Sequence, residues 1–283
     1  GVITEATVRV RPLPESEVFC AAFFPEWGPG VAAARQIAQE RVCLSMLRLS
    51  DSQETETTLA LSGHNRLLSL ADRGLRILGQ GPERCLMVYG LTGDPNDLRR
   101  THTRVKDIFR SHGGLPTGTY IGRIWHRSRF RSPYLRNTLW EKGYALDTLE
   151  TAVPWSSFNS LRSGVLAALR QAFEIRSVHA LAFSHLSHLY SDGVSFYVTY
   201  LYPRQGDPDH TLELWKHAKR AASEVIVSMG GTISHQHGVG LDHRPYLEAE
   251  MGSLAMEALG KLFRTFDPDR ILNPGKLLEE DAA

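Results

Sequence analysis

Fourteen residues, GGTISHQHGVGLDH at positions 230–243, combine four glycines with three histidines. Neutral imidazoles exchange protons near pH 7, so histidines in a glycine-rich loop are candidates for proton transfer. In an extended chain His235 and His237 point to the same side, while Gly238 and Gly240 let the backbone approach a flat ligand. The stretch therefore predicts a proton-transfer site, and the alternative is a tight turn with solvated histidines.

The same histidines could bind a metal ion, but their spacing argues against it. Zinc sites use three or four protein ligands, and His235 and His237 lack a clear third one. Asp242 and His243 are the nearest candidates in the sequence. We therefore predict no metal site.

A second candidate region is YIGRIWHRSRFRSPYLRNTLWEKG, residues 120–143, in which arginines alternate with aromatic residues. Arginine forks bind carboxylate or phosphate in a bidentate manner. A solvated helix face would explain the same pattern without a ligand. Pro133 predicts a kink or a break in this helix. The arginines concerned are Arg123, Arg127, Arg129, Arg131 and Arg136.

A third candidate is Tyr197, in the strand-like run FYVTYLY at 196–202. Strand alternation places Tyr197 on the face opposite to Tyr200 and Tyr202. Aromatic residues in strands usually belong to the core. A tyrosine hydroxyl in a cleft can instead act as an acid or base, and a neighbouring imidazolium or arginine would lower its pKa.

The elements that must position these residues alternate between strands and helices. An antiparallel sheet with helices packed on one face is the predicted α+β fold, arranged as two ferredoxin-like halves. Residues 51–82 predict a loop with at most a short helix. The predicted strands are 17–24, 45–50, 85–93, 144–154, 177–188 and 194–203. The predicted helices are about 30–41, one that ends at 113–114, 120–142, 156–174, one that ends at 230–231, and 253–266.

Composition and charge limit the classes of function. With 32 basic and 31 acidic residues among 283, the chain gives no electrostatic reason to bind nucleic acid or a membrane surface. No apolar run approaches the roughly 20 residues that span a bilayer. Three widely spaced cysteines, Cys20, Cys43 and Cys85, predict reduced thiols in a cytoplasmic protein.

Five stretches together resemble the C-terminal part of FAD-linked oxidases of the vanillyl-alcohol oxidase type, and most closely the alkyldihydroxyacetonephosphate synthases. They are GVITEATVRVRPLPE, RFRSPYLRNTLWEKGYALDTLETAVPW, SHLYSDGVSFYVTY, GGTISHQHGVGLDHRPYLEAEMG and FDPDRILNPGKLL. The last of them is shared with D-lactate and glycolate dehydrogenases. The resemblance implies that residues 1–15 are the last strand of a truncated FAD-binding domain, 16–278 a cap domain that binds substrate, and 279–283 a tail.

The resemblance also implies roles for individual residues. Tyr197 matches a catalytic tyrosine, and His235 and His237 match the outer members of a three-histidine motif whose middle position is Gln236 here. Arg136 matches an active-site arginine, and Arg48 matches one that stabilises the histidine loop. Arg136, Arg48 and Gln236 are expected to bind substrate. Contacts to FAD are expected from Gly238, Gly240 and Asn273.

Three functions remain open at this point. A synthase would exchange an acyl for an alkyl chain on dihydroxyacetone phosphate without net redox. A dehydrogenase would pass hydride from a D-2-hydroxy acid or an alcohol to the flavin, and Gln236 favours this alternative. The third is a free-standing ligand-binding or structural domain. For the two enzymes we expect FAD as cofactor, a small-molecule substrate, the FAD domain of the same protein as partner, and an apolar surface that could support a homodimer.

Overall fold

The computed structural model describes residues 2–61, 66–131 and 134–278, apart from the side chains of 66–71. Its strands are β1 (Ser16–Phe24), β2 (Met46–Ser50), β3 (Cys85–Gly93), β4 (Leu115–Gly118), β5 (Tyr144–Pro154), β6 (Leu181–Leu189) and β7 (Gly193–Pro203). Its helices are α1 (Trp27–Gln39), α2 (Ser52–Leu61), α3 (Arg66–Ile77), α4 (Pro95–Ser111), α5 (Tyr120–Ser128), α6 (Leu135–Glu141), α7 (Trp155–Glu174), α8 (Pro208–Ser228), α9 (Arg244–Met251) and α10 (Ser253–Phe266).

The strands form one antiparallel sheet in the order β4-β1-β3-β2-β6-β7-β5. The first half, β1-α1-β2-β3-α4-β4, has the ferredoxin-like order, with α2 and α3 between β2 and β3. The second half, β5-α7-β6-β7-α8, repeats this order without a fourth strand. The predicted α+β fold and its duplication are therefore confirmed.

The place of that missing strand is occupied by the histidine-rich stretch. The amide of Thr232 donates to the carbonyl of Ala152, and the amide of His235 donates to the carbonyl of Glu150. Residues 232–235 thus run antiparallel along the free edge of β5, as β4 runs along β1 in the first half. The sheet topology itself brings the histidines to β5.

Apolar residues of α1, α4, α7 and α8 pack on one face of the sheet and form a single core. Strand alternation decides which residues enter it: Phe196 and Val198 are fully buried there, and Tyr197 between them faces the other way. A smaller cluster of Ala21, Phe23, Leu86 and Val88 lies on the opposite face, against Ile121 and Trp125 of α5. Helices thus cover one face as predicted, and α5 covers part of the other.

Several local predictions need correction. Residues 51–82 contain α2 and α3 rather than a loop, and the predicted helix over 120–142 is two helices, α5 and α6. The strand expected within residues 1–15 is not formed over 2–14, which have neither helix nor strand and expose their apolar side chains. A strand needs a neighbour for its backbone hydrogen bonds. Pro133 and the tail 279–283 lie outside the described residues.

Candidate functional site

A row of polar side chains crosses the second half of the sheet, on the face opposite to α7 and α8. Register pairs Glu150 of β5 with Tyr197 of β7, and Tyr197 with His185 of β6. Directly paired residues in antiparallel strands lie within side-chain contact, and the rings of His185 and Tyr197 stack with their centroids 5.1 Å apart. The two strand pairings thus place a carboxylate, a phenol and an imidazole side by side.

Glu150 is the centre of this row and is 5% exposed. Its Oε1 accepts a hydrogen bond from the hydroxyl of Ser195 at 2.9 Å and lies 3.1 Å from Nδ1 of His235. Nδ1 of His188 is 3.3 Å from the same oxygen, and Nε2 of His237 is 3.4 Å from Oε2. One buried carboxylate therefore holds three histidines from two chain segments.

His235 and His237 face the same carboxylate, as the sequence predicts, but the chain between them is not extended. Gln236 has φ +64° and is exposed, so a left-handed residue rather than strand alternation turns both imidazoles toward Glu150. The loop is closed by Ser234 and His243, whose side chains both bond the carbonyl of Gly238. The alternative of a turn with freely solvated histidines does not describe this loop.

A second buried carboxylate, Glu54 of α2, lies at the other end of the row. Its Oε1 is 2.7 Å from Nη2 of Arg48 and 3.0 Å from Nδ1 of His185. Burial alone would raise the pKa of Glu54, but Arg48 and His185 hold this pKa far below its usual range. Burial and Arg48 lower the pKa of His185. The group is therefore an ion pair of Arg48 and Glu54 beside a neutral His185.

The hydroxyl of Tyr197 donates a hydrogen bond to Oγ1 of Thr148 at 2.9 Å. Burial and the negative charges of Glu150 and Asp147 raise the pKa of Tyr197, and the Thr148 bond and Arg48 oppose this only in part. The predicted lowering of this pKa is therefore wrong for the chain. The imidazoles that were expected to lower the pKa of Tyr197 lie next to carboxylates, whose negative charge raises this pKa. Tyr197 is therefore a neutral phenol.

The remaining predicted residues lie in different surroundings. Arg48 reaches Glu54 rather than the histidine loop. Arg136 is exposed on α6. Among the other arginines of residues 120–143, Arg129 lies over the rings of Phe19, Trp125 and Phe130, with Phe130 nearest at 4.4 Å, which is a structural role.

The residues expected to contact FAD are at the surface. Gly238 and Gly240 have φ +74° and +59°, and a side chain built at either would meet no atom within 4 Å. Asn273 lines a cavity of about 310 Å³ between α10 and residues 267–278. The glycines allow the turn of the loop and leave its outer surface free for a ligand.

The chain is similar to known proteins in both sequence and fold. The model of the family "FAD linked oxidases, C-terminal domain" matches residues 13–277. The chain belongs to this family. Its relatives are FAD-linked oxidoreductases and alkyldihydroxyacetonephosphate synthases, so it is a member of an enzyme family.

Among curated relatives, an alkyldihydroxyacetonephosphate synthase of Dictyostelium discoideum is 26% identical over 98% of this chain and 46% of its own length. The synthase of Trypanosoma brucei brucei is 25% identical with the same coverage. A probable mitochondrial D-lactate dehydrogenase of Danio rerio is 24% identical over 99% of the chain and 52% of its own length. The chain thus spans about half the length of these relatives.

Solved structures show the same fold. An alkyldihydroxyacetonephosphate synthase superposes with a TM-score of 0.72 at 22% identity, over 90% of this chain and 44% of that one. p-Cresol methylhydroxylase with substrate bound gives 0.59 at 12% identity, over 94% and 53%. The FAD-linked oxidase C-terminal fold is therefore shared with enzymes of different names.

Sequence reasoning missed four members of this site: Glu54, Glu150, His185 and His188. Each is a single polar residue outside the glycine-rich loop, so no local motif marks it. One signal was available for Glu150. In DTLETAV, residues 147–153, it is a charged residue in the middle of a predicted strand, where a buried charge needs a partner.

Proposed function

We propose that this chain is the substrate-binding cap domain of a FAD-dependent enzyme that resembles alkyldihydroxyacetonephosphate synthase. The observation that carries the proposal is the row of Glu150, Tyr197 and His185, with His235 and His237 beside it, on the sheet face that α7 and α8 leave uncovered. Proton-transfer groups gathered on one face of the sheet of a FAD-linked oxidase domain suit a substrate bound against a flavin.

Tyr197, His235 and His237 offer hydrogen-bonding groups that would suit one edge of a flavin. Apart from the adjoining residues, no atom of the described part of the chain lies within 4 Å of a methyl group built at Gly238 or Gly240. FAD would supply the redox chemistry, while the protein supplies orientation and proton transfer. We further propose that residues 16–278 are the cap. Residues 1–15, which form no strand over 2–14 within this chain, would pair as the last strand of the FAD domain. That domain would correspond to the part of the relatives beyond the match.

The roles of the side chains follow from their protonation and contacts. Tyr197, a neutral phenol, donates a proton or a hydrogen bond to a substrate oxygen. His237, whose Nε2 faces Glu150, accepts and returns substrate protons through its other ring nitrogen. His235, which lies between Glu150 and the hydroxyl of Tyr190, holds the loop in place for this transfer. The guanidinium groups of Arg48 and Arg136 are candidates to bind an anionic group of the substrate, such as phosphate or carboxylate.

A second candidate function is oxidation of a D-2-hydroxy acid. It is favoured by Gln236, which stands between the two histidines where the synthases have a third. An exposed amide in a left-handed turn can bind substrate but cannot transfer protons as histidine does. The similarity to a probable D-lactate dehydrogenase supports the same alternative.

The test uses the full product of the gene, purified and examined for bound flavin by absorption. It is then mixed under anaerobic conditions with an acyl ester of dihydroxyacetone phosphate plus a fatty alcohol, or with D-2-hydroxy acids. A synthase would form alkyl product with no net loss of flavin absorbance, and a dehydrogenase would bleach the flavin. A purified protein that neither retains nor binds FAD would overturn the proposal.

Two further expectations belong to this proposal. We expect a cytoplasmic enzyme, and a homodimer is possible through surface apolar side chains such as Leu254 and Phe266 of α10, which are 78% and 77% exposed. No helix in the described part of the chain combines the length and the apolar character that a bilayer crossing requires.

A further inference from the structure

Three ligand atoms from three separate strands and loops converge beside Tyr197. They are Oε1 of Glu150, Nδ1 of His188 and Nδ1 of His235, which all lie within 4.8 Å of one another. The carboxylate oxygen is 3.3 Å from His188 and 3.1 Å from His235. Ligands at about 2.1 Å from a tetrahedral ion stand roughly 3.4 Å apart, and the two spacings to the Glu150 oxygen are close to this value.

The surroundings of the cluster also suit a metal. Nε2 of His235 lies 2.9 Å from the hydroxyl of Tyr190, an outer contact of the kind that fixes the ring of a metal-bound histidine. Ser195 Oγ, 3.3 Å from Nδ1 of His188, is a further oxygen at the same place. Glu150 is buried, so its charge needs compensation close by.

The cluster is accessible from outside. The side chain of His188 is 41% exposed, against 14% for His235 and 4% for Glu150. His188 and Tyr190 line a cavity of about 450 Å³. An ion bound by these three protein ligands would keep a fourth position open, the arrangement of zinc sites that bind water or substrate.

We propose that Glu150, His188 and His235 bind one divalent transition-metal ion, with zinc as the ion whose usual ligands they match. The sequence argument against a metal considered only the loop at 230–243, where a third ligand is lacking. The fold supplies the missing ligands from β5 and β6. The ion would sit beside Tyr197 and could hold an oxygen of the substrate. This inference concerns the metal alone and does not depend on the proposed flavoenzyme reaction.

The experiment is a titration of the chelator-treated full gene product with Zn²⁺, in competition with a chromophoric chelator, and with Co²⁺ followed by visible absorption. We expect one Zn²⁺ per chain and a Co²⁺ spectrum of low coordination number. His188→Ala and Glu150→Gln should each weaken binding by at least about 10–100-fold, the loss that even outer contacts cause. His210→Ala, which removes an exposed histidine on α8, should leave affinity and spectrum unchanged.

Circular dichroism and thermal unfolding without metal separate loss of a ligand from loss of the fold. His188 is the most exposed of the three ligands, so His188→Ala is the variant expected to keep the fold. If the Glu150→Gln protein does not fold, the zinc affinity of the His188→Ala protein alone tests the proposal. Zinc affinity of the folded His188→Ala protein equal to that of wild type, or no stoichiometric Zn²⁺ in the wild type, would overturn the proposal.

Discussion

The two halves of the sheet share a topology but differ in what they carry on the face opposite to the main helices. In the first half, β1 and β3 present Ala21, Phe23, Leu86 and Val88, and α5 closes over them. In the second half the equivalent strands, β5 and β7, present Glu150 and Tyr197, which α7 and α8 leave uncovered. One half uses this face for packing, and the other for polar chemistry.

The free edges of the two halves differ in the same way. β4 pairs with β1 as a regular strand, whereas β5 is joined by residues 232–235, which make only a few backbone bonds before the chain turns at Gln236. Replacing a strand by a loop releases His235 and His237 from the sheet. The two halves are therefore similar scaffolds, and the site occupies the one that has no fourth strand among the described residues.

The comparison predicts its largest effect at Tyr197. In the full gene product, Tyr197→Phe removes one oxygen and one hydrogen bond, so folding should change little. Flavin reduction, or alkyl exchange in a synthase, should fall by about 10²–10⁴-fold, as is typical when a general acid or base is lost. Single-turnover kinetics measure this step apart from substrate binding.

The matched control is the same change in the other half. Tyr89 of β3, the strand equivalent to β7, has its hydroxyl 3.1 Å from Nε2 of His102 in the packed core. Tyr89→Phe should lower stability slightly and leave the single-turnover rate unchanged. Equal rates in wild type and Tyr197→Phe would mean that Tyr197 is an ordinary aromatic residue of the sheet, and the contrast between the halves would lose its chemical meaning.

The next effect concerns the carboxylate that holds the histidine loop. Glu150→Gln removes the charge toward which Ser195, His188, His235 and His237 are directed. A buried polar group left without its partner costs about 1–3 kcal/mol, so the free energy of unfolding in denaturant should fall by this amount in metal-free buffer. Glu257→Gln, an exposed change on α10, should stay within about 0.5 kcal/mol of wild type. A Glu150→Gln protein as stable as this control would show that the network does not stabilise the loop.

The packed half predicts a change in stability without a change in chemistry. A methyl group at Gly122 of α5 would overlap the backbone carbonyl of Phe19, so Gly122→Ala should push the helix off β1 and cost about 1–3 kcal/mol. At Gly74 of α3 a methyl group meets nothing within 4 Å. Gly74→Ala should therefore be neutral or stabilising. Thermal unfolding measures both, and a lower single-turnover rate in Gly122→Ala would show that the halves are not independent.

The sequence predicted those parts of the fold that depend on local pattern. Strands with continuous apolar runs, such as β1, β3 and β7, were placed within one or two residues. The structure of β4, Leu115–Gly118, was missed because four residues with a proline and a glycine look like a loop, and its strand character comes from pairing with β1. Helix α9 was missed as well; it is only eight residues long and begins next to Pro245.

The site was predictable only where residues cluster in sequence. His235, His237 and Tyr197 have local signals, from glycine spacing and strand alternation. Glu150 and His185 join them through register, because β5, β7 and β6 pair residues far apart in the chain. The ion pair of Arg48 and Glu54 additionally needs α2, which the sequence did not reveal. Long-range pairing is thus the physical reason for the missing half of the site.

The smallest predicted effect is the pH dependence of stability that arises at His185. Its pKa in the fold lies below its ordinary value because of burial and Arg48, whereas in the unfolded chain it is about 6.5. The unfolded state therefore binds the proton first, and stability declines as pH falls from about 6.5 toward the folded pKa.

The depressed pKa of Glu54 affects stability in a lower pH range, because its contribution is complete above the unfolded value of about 4.3 and is lost only below it. In His185→Asn the slope that begins near pH 6.5 should become smaller; burial also lowers the pKa values of His102 and His243, which keep the remainder of it. The slope below about pH 4.3 should persist. His210→Asn, on the exposed side of α8, should keep the wild-type curve. Denaturant unfolding from about pH 3 to 8 measures all three, and a slope at pH 5–6.5 in His185→Asn equal to that of wild type would place its origin outside the polar row.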